Sequence, residues 1–290
     1  MSRPLSLGFS PCPNDTFIFA AMVHGQLGPS TLTWQEPLLA DVEQLNNWAL
    51  AGRLDVTKLS CHALGHVLDE YCLLSAGAAL GRGCGPLLVA GSKGDRQALR
   101  GKRVAIPGRY TTAALLLQML LPDCLELVEM RFDLIMAAVK NNSVDAGVII
   151  HESRFTYQEE GLHCIEDLGQ WWEDTTGQPI PLGCIVARRS LGVERISEID
   201  AAIRASVNYA WAHPDAAMPY IRAHSQELSA AVVRSHIDLY VNDFSRDLGD
   251  EGLAAISDFL HRGRQAGVLP EARADLQLRR LPGAAASGIR

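Results

Sequence analysis

His151 directly follows the apolar run Val148-Ile149-Ile150. Such a run reads as a buried strand, so the imidazole emerges at a sheet rim, held by the strand and near solvent. An imidazole placed there suits a general base working near neutral pH; the same position also serves a plain structural or surface histidine. It opens the cluster His151-Glu152-Ser153-Arg154, and three further polar clusters stand at predicted strand ends: Ser10 to Asn14, Lys58 to Ser60, and Thr111-Thr112. Open α/β sheets bind their ligands beyond such ends. Three of the four clusters lead into a helix start, where free N–H groups and the positive dipole end favour an anion. Thr111-Thr112, after Pro107-Gly108, is the best placed of them for a carboxylate, although Ser60 and Thr111 equally suit ordinary N-caps.

Other patterns carry less. His62 and His66 lie four apart, with Glu70 one turn further, a spacing that can bind a metal. The glutamate of an H-E-x-x-H motif is missing, and Asp69 and Glu70 read as the polar face of an amphipathic helix, so no metal site is assigned. The glycine-rich stretch Gly77 to Gly85 precedes a strand and lacks the Lys-Ser/Thr of a phosphate loop; it reads as a flexible crossing. Trp171-Trp172 could stack a ring but reads as a packed pair at a rim. No acidic dyad and no Ser-His-Asp set can be assigned from spacing.

The elements that must position these residues alternate. Leu5 to Phe9 is a strand stopped by Ser10-Pro11-Cys12-Pro13, after which Asn14 or Asp15 caps a helix from Thr16 to Gly25. A helix from Asp41 to Ala51, closed by Gly52, precedes a strand from Leu54 to Leu59, and Ser60 then caps a helix carrying Leu64, Val67 and Leu68. Strands follow at Pro86 to Ala90, Lys102 to Ile106, Leu125 to Met130, Ala146 to Ile150 and Leu182 to Ala187, with helices at Ala113 to Leu121 and Phe132 to Val139. From Ser197 the pattern is helical, broken at His213-Pro214 and near Asn242, and Gly283 to Arg290 reads as a frayed end. Trp48 to Ser60 and Ala137 to His151 echo one another faintly: helix end, turn, strand, then a polar side chain.

This alternation implies parallel α/β sheets. A helical C-terminal part that returns to the first unit gives a discontinuous lobe I (1–91 and 189–290), an inserted lobe II (92–188), and a cleft between them.

The chain has 290 residues, 48% of them hydrophobic and 20% charged, with a formal net charge of −7. That acidity argues against nucleic acid or an anionic membrane as the main partner. No apolar run approaches the roughly 20 residues of a membrane span, and the first residues do not read as a signal peptide. Seven cysteines, at positions 12, 61, 72, 84, 124, 164 and 184, form no C-x-x-C pair. Scattered thiols suit a reducing compartment, so a cytoplasmic protein is expected.

Several strings go further: Leu7-Gly8-Phe9-Ser10-Pro11-Cys12-Pro13-Asn14-Asp15-Thr16-Phe17, Lys58-Leu59-Ser60, Gly81-Arg82-Gly83, Pro107-Gly108-Arg109-Tyr110-Thr111-Thr112 and Ile150-His151-Glu152-Ser153-Arg154-Phe155-Thr156-Tyr157. Together they closely resemble the 1,4-dihydroxy-6-naphthoate synthases of the futalosine route to menaquinone, over nearly the whole chain. The resemblance implies a two-lobed fold of the periplasmic-binding-protein type 2 kind. It implies a lyase that converts cyclic dehypoxanthinyl futalosine to 1,4-dihydroxy-6-naphthoate and a dihydroxyacetone fragment, with no metal and no cofactor. It implies that Lys58, Leu59, Ser60, Thr111 and Thr112 contact a small carboxylate substrate and that His151 is the proton acceptor. Tyr110 stands where other members can carry a histidine. A homodimer stays open. A non-catalytic solute-binding protein and the sister chorismate dehydratases are the competing readings.

Overall fold

The computed structural model describes residues 3–122, 125–225 and 229–278; the cysteine at 124, the start of the predicted tail at 283–290 and the tail itself lie outside them. In chain order the first elements are β1 (Leu7–Phe9), α1 (Pro13–Val23), β2 (Leu38–Leu39), α2 (Val42–Leu50), β3 (Val56–Ser60), α3 (Cys61–Val67), β4 (Tyr71–Leu73) and β5 (Ala79–Gly81). Then come β6 (Leu87–Ala90), β7 (Lys102–Ile106), α4 (Thr112–Leu120), β8 (Leu125–Glu129), α5 (Ile135–Lys140), β9 (Ala146–Ile149), α6 (Ser153–Thr156), β10 (His163–Asp167) and α7 (Leu168–Thr176). The chain closes with β11 (Ile180–Arg188) and helices α8 (Val193–Ala212), α9 (Pro214–His224), α10 (Ala230–Tyr240), α11 (Asp243–Arg246) and α12 (Gly249–Gln265).

Two sheets carry two lobes. One runs β2-β1-β3-β11-β4, with β5 also pairing β11; the other runs β10-β6-β9-β7-β8. Both are mixed, which corrects the expectation of parallel sheets. The βα repeats do pair in parallel, β1 with β2 and β3, and β7 with β8 and β9. The two strands next to the changes of sheet run against their neighbours: β6 is antiparallel to β9, and β11 to β3. The changes themselves fall between Gly81 and Leu87 and between Thr176 and Ile180, so β6 belongs to the second sheet and β11 to the first. The sequence-based division at 91 and 188 does not coincide with them.

Local chemistry explains the elements that reach the cleft. Helix α1 starts earlier than its polar residues suggest: Cys12 is the N-cap and Pro13 takes the first turn, where a missing N–H costs nothing. Asn14 and Asp15 are therefore inside the helix, not capping it, and their side chains are free for other partners. The helix is buried from Pro13 to Met22, packed between the first sheet and helices α8, α9 and α10. Asp41 caps α2 by accepting from Glu43 N and Gln44 N, and Thr111 caps α4 by accepting from Ala114 N at 3.2 Å. Helix α2 into β3 and helix α5 into β9 repeat one arrangement, ending at Ser60 and His151 in the same cleft.

Candidate active site

All six residues singled out by sequence, Lys58, Leu59, Ser60, Thr111, Thr112 and His151, line one cleft with about 680 Å³ of atom-free space, including the part open to solvent. The first sheet supplies Ser10 and the strand end 58–60, the second supplies 111–113, Ile150 and His151, and α10 adds His236 and Tyr240. The walls are mostly apolar, through Val42, Leu59, Ala79, Pro86, Ile150 and Leu182, with a few polar groups among them, as ligand clefts usually are.

The floor is an ion pair. All five residues of β3 are buried, and the Lys58 side chain is only 6% exposed, so its ammonium needs partners within the protein. Its Nζ lies 2.9 Å from Asp15 Oδ1 and donates to the Gly77 carbonyl at 2.9 Å. Gly77 adopts φ +85°, and a Cβ there would sit 2.0 Å from Ile185 Cδ1, so only glycine presents that carbonyl. Asp15 Oδ2 accepts from Ser10 Oγ at 2.7 Å and Ser10 N at 3.2 Å, and Oδ1 accepts from Asn14 Nδ2 at 2.9 Å. Both charges are satisfied within the protein. The lysine is thus a fixed wall of the cleft more than a free cation.

His151 lies in the turn two residues after β9, with φ +57°, a left-handed conformation that is uncommon for any residue but glycine. The turn aims the ring into the cleft. Its Nδ1 lies 3.7 Å from Cys12 Sγ, Phe132 packs against it edge-on at 4.9 Å, and the His236 ring is stacked 6.2 Å away. Burial lowers the His151 pKa; the carboxylates of Glu152, Asp15 and Asp41 oppose the shift without cancelling it. Burial and the Glu152 charge push the Cys12 thiol well up. A thiolate–imidazolium pair is therefore disfavoured on both sides, and the contact is between a neutral thiol and a neutral imidazole. His151 also borders a second cavity, lined by Asp41, Arg131 and Glu152 among others.

The hydroxyls of the two threonines already have partners within the protein. Thr111 Oγ1 already donates to the Gly108 carbonyl and Thr112 Oγ1 to the Leu182 carbonyl, at 2.8 and 2.7 Å. Their hydroxyl protons are committed, so any donors left at the start of α4 are backbone N–H groups, one of which, Ala114 N, is taken by Thr111 Oγ1. Ser60 Oγ accepts from Asn46 Nδ2 at 3.2 Å, and among the described residues nothing takes its proton. Asn46 also donates to Glu43 Oε2 at 2.9 Å, and Glu43 accepts from Tyr110 N at 3.1 Å. The chain Ser60, Asn46, Glu43, Tyr110 thus ties the two lobes beside the cleft. Gly108 permits it: a Cβ there would lie 2.4 Å from the Glu43 side chain.

His62 and His66 are not part of the cleft lining. His62 Nδ1 donates to the Thr111 carbonyl at 3.0 Å, and its Nε2 faces His66 Nε2 at 3.4 Å. Burial pushes His62 down to about 4, which suits this neutral buttress for the Thr111 backbone. Among the described residues no three His, Cys, Asp or Glu side chains gather to hold a metal. Dialysis against a strong chelator should leave activity unchanged; a loss restored by a divalent cation would overturn the metal-free assignment. Trp172 is buried and its indole donates to the Pro179 carbonyl at 3.3 Å, so the tryptophan pair packs and does not face ligand. Asp15, Asn46, His236 and Tyr240 were not legible as site residues. Their one signal was a polar side chain on a buried helix face, as with Val233, His236 and Tyr240 along α10.

Two lobes with mixed sheets, joined twice and closing on a cleft that holds an imidazole, define a protein of the periplasmic-binding-protein architecture. The periplasmic aliphatic sulphonate binding protein of Escherichia coli shares that fold, with a TM-score of 0.64 at 14% identity, over 98% of each chain. The chain belongs to the menaquinone biosynthesis family, whose model matches residues 5–265. It is 53% identical to the 1,4-dihydroxy-6-naphthoate synthase of Thermus thermophilus over 265 residues, 91% of this chain and 95% of the relative. It is 47% identical to the synthase of that name from Streptomyces coelicolor, covering 92% and 95%.

Proposed function

We propose that this chain is an enzyme that forms 1,4-dihydroxy-6-naphthoate from cyclic dehypoxanthinyl futalosine, releasing a dihydroxyacetone fragment. The observation that carries the reading is His151: a strained, neutral imidazole at a strand end, facing a cleft whose opposite features suit a carboxylate. Ser60 and the first turn of α4 hold the substrate carboxylate. A ketone acidifies the neighbouring C–H, and the His151 imidazole takes that proton. Bond cleavage follows, and formation of the aromatic ring supplies the driving force. The proton that His151 takes is returned to the departing dihydroxyacetone fragment, so the reaction is proton-neutral overall. Cleft closure keeps the reactive enol from water.

The segments between Gly81 and Leu87 and between Thr176 and Ile180 are the crossings about which the lobes move. Among the described residues no helix is long and apolar enough to cross a membrane. Six described cysteines are free thiols, which supports a cytoplasmic enzyme, and the net charge of −7 supports a small-molecule rather than a nucleic-acid partner.

Because the lowered pKa keeps His151 in the base form, kcat/KM should be flat near neutrality. It should fall only as pH drops through a midpoint below the ordinary histidine value of about 6.5. A pH–rate profile with its acid limb centred above neutrality would contradict this. Purified protein supplied with cyclic dehypoxanthinyl futalosine should generate naphthoate fluorescence. A binding signal without turnover would favour a solute-binding protein, and turnover only of a chorismate-derived substrate would favour the dehydratase.

A further inference from the structure

Helix α10 brings a second imidazole into the cleft. His236 sits on the buried stripe of that helix, 1% exposed, where an apolar side chain would ordinarily pack. Its two nitrogens differ. Nε2 lies 2.9 Å from Asn14 Oδ1. Asn14 is oriented by its own Nδ2, which donates to Asp15 Oδ1 at 2.9 Å, and Asp15 is held in turn by Lys58 and Ser10. Asn14 Oδ1 is therefore an acceptor, and His236 Nε2 must carry the hydrogen. Nδ1 is left as a bare lone pair. It is buried and has no hydrogen-bond partner among the described residues. A buried polar nitrogen without a partner is rare in folded proteins and calls for one. A single orphaned acceptor on the wall of a ligand cleft points to a ligand.

The lone pair selects its partner. Burial, with the neighbouring His151, pushes His236 down to about 3, so the ring is neutral wherever the enzyme works. A neutral acceptor repels a carboxylate and accepts only from O–H or N–H. The carboxylate has its own site at Ser60 and the first turn of α4. We propose that His236 Nδ1 accepts a hydrogen bond from a ligand hydroxyl, so that His236 reads the hydroxylated ring of the naphthoate skeleton, with Asn14 fixing its tautomer. This inference rests on the naphthoate reading above.

The test compares two ligands, 1,4-dihydroxy-6-naphthoate and 2-naphthoate, which share ring system and carboxylate but differ in the hydroxyls. Each is titrated anaerobically into wild type, His236→Phe and His236→Asn, with melting temperatures recorded alongside. Wild type should prefer the dihydroxy acid by roughly 10-fold, the worth of one hydrogen bond to a buried acceptor. His236→Phe should lose that preference to within about twofold while keeping its affinity for 2-naphthoate. His236→Asn, whose amide oxygen falls close to the Nδ1 position, should keep the preference. The same preference in His236→Phe as in wild type would overturn the proposal. Should the Phe variant fail to fold, ¹⁵N-histidine-labelled wild type decides: the unprotonated His236 nitrogen should move upfield with the dihydroxy acid and not with 2-naphthoate, and no movement overturns the proposal. Wild type that binds neither naphthoate would remove the functional reading itself, and this inference with it.

Discussion

His151→Ala should fold, bind substrate and product, and lose about 10²–10⁴-fold of its turnover. The expectation rests on position. His151 stands two residues beyond β9 inside the cleft. Its two neighbours are poor substitutes: burial pushes His236 down to about 3, so its free Nδ1 can accept a hydrogen bond but is too weak a base to hold the proton, and the Cys12 thiol is held protonated by burial. The backbone sharpens the test. Position 151 has φ +57°, where a side chain costs roughly 1–2 kcal/mol that glycine does not incur. His151→Gly should therefore melt at or above the wild-type temperature while being as inactive as the alanine variant. A residue that weakens the fold and is indispensable to turnover is kept for its chemistry. Activity within a few-fold of wild type in either variant would remove His151 from the mechanism.

The second large effect concerns stability. Asp15 and Lys58 are both buried, at 2% and 4% exposure, and are paired at 2.9 Å. Asp15→Ala strands an ammonium in the core of the first lobe, and Lys58→Met strands a carboxylate. Each should cost about 3–5 kcal/mol in denaturant unfolding. Replacing both, Asp15→Leu with Lys58→Met, should recover much of that loss, because the damage comes from the uncompensated charge and not from the missing attraction. Single variants within about 1 kcal/mol of wild type would show that water or rearrangement rescues the lone charge.

The parts of the site that were legible in the sequence follow from a local rule. A strand that ends in a polar residue and turns into a helix delivers that residue to the sheet's carboxyl edge, which placed Ser60, Thr111 and His151 in one cleft without knowledge of the pairing. What was not legible depends on contacts distant in sequence. Lys58 reads as one of the polar residues of a strand end, but nothing nearby in sequence shows that it is buried, which it is because Asp15, 43 positions away, neutralises its charge. His236 meets Asn14 across 222 positions, and nothing within helix α10 announces that pairing. Asn14 and Asp15 looked like caps because they follow two prolines and precede an apolar run, but Pro13 is itself a good first helical residue. Strand β10 and helix α7 went unread: His-Cys-Ile-Glu-Asp is a partly exposed edge strand without clean alternation, and only Asp167, capping Gly169 N and Gln170 N, marks the helix after it. The mixed sheets escaped for a related reason, since strand direction is set by where the chain changes lobes and not by the strand's own residues.

A crystal structure of His151→Ala with unreacted cyclic dehypoxanthinyl futalosine tests the central claim most directly. The account predicts the substrate carboxylate at Ser60 and the first turn of α4, and the C–H beside the ketone facing the space vacated at position 151. Restoring the imidazole in that frame should bring its nitrogen to within about 3–3.5 Å of the reacting carbon. A substrate seated outside the cleft, or one whose reacting carbon faces away from position 151, would contradict it.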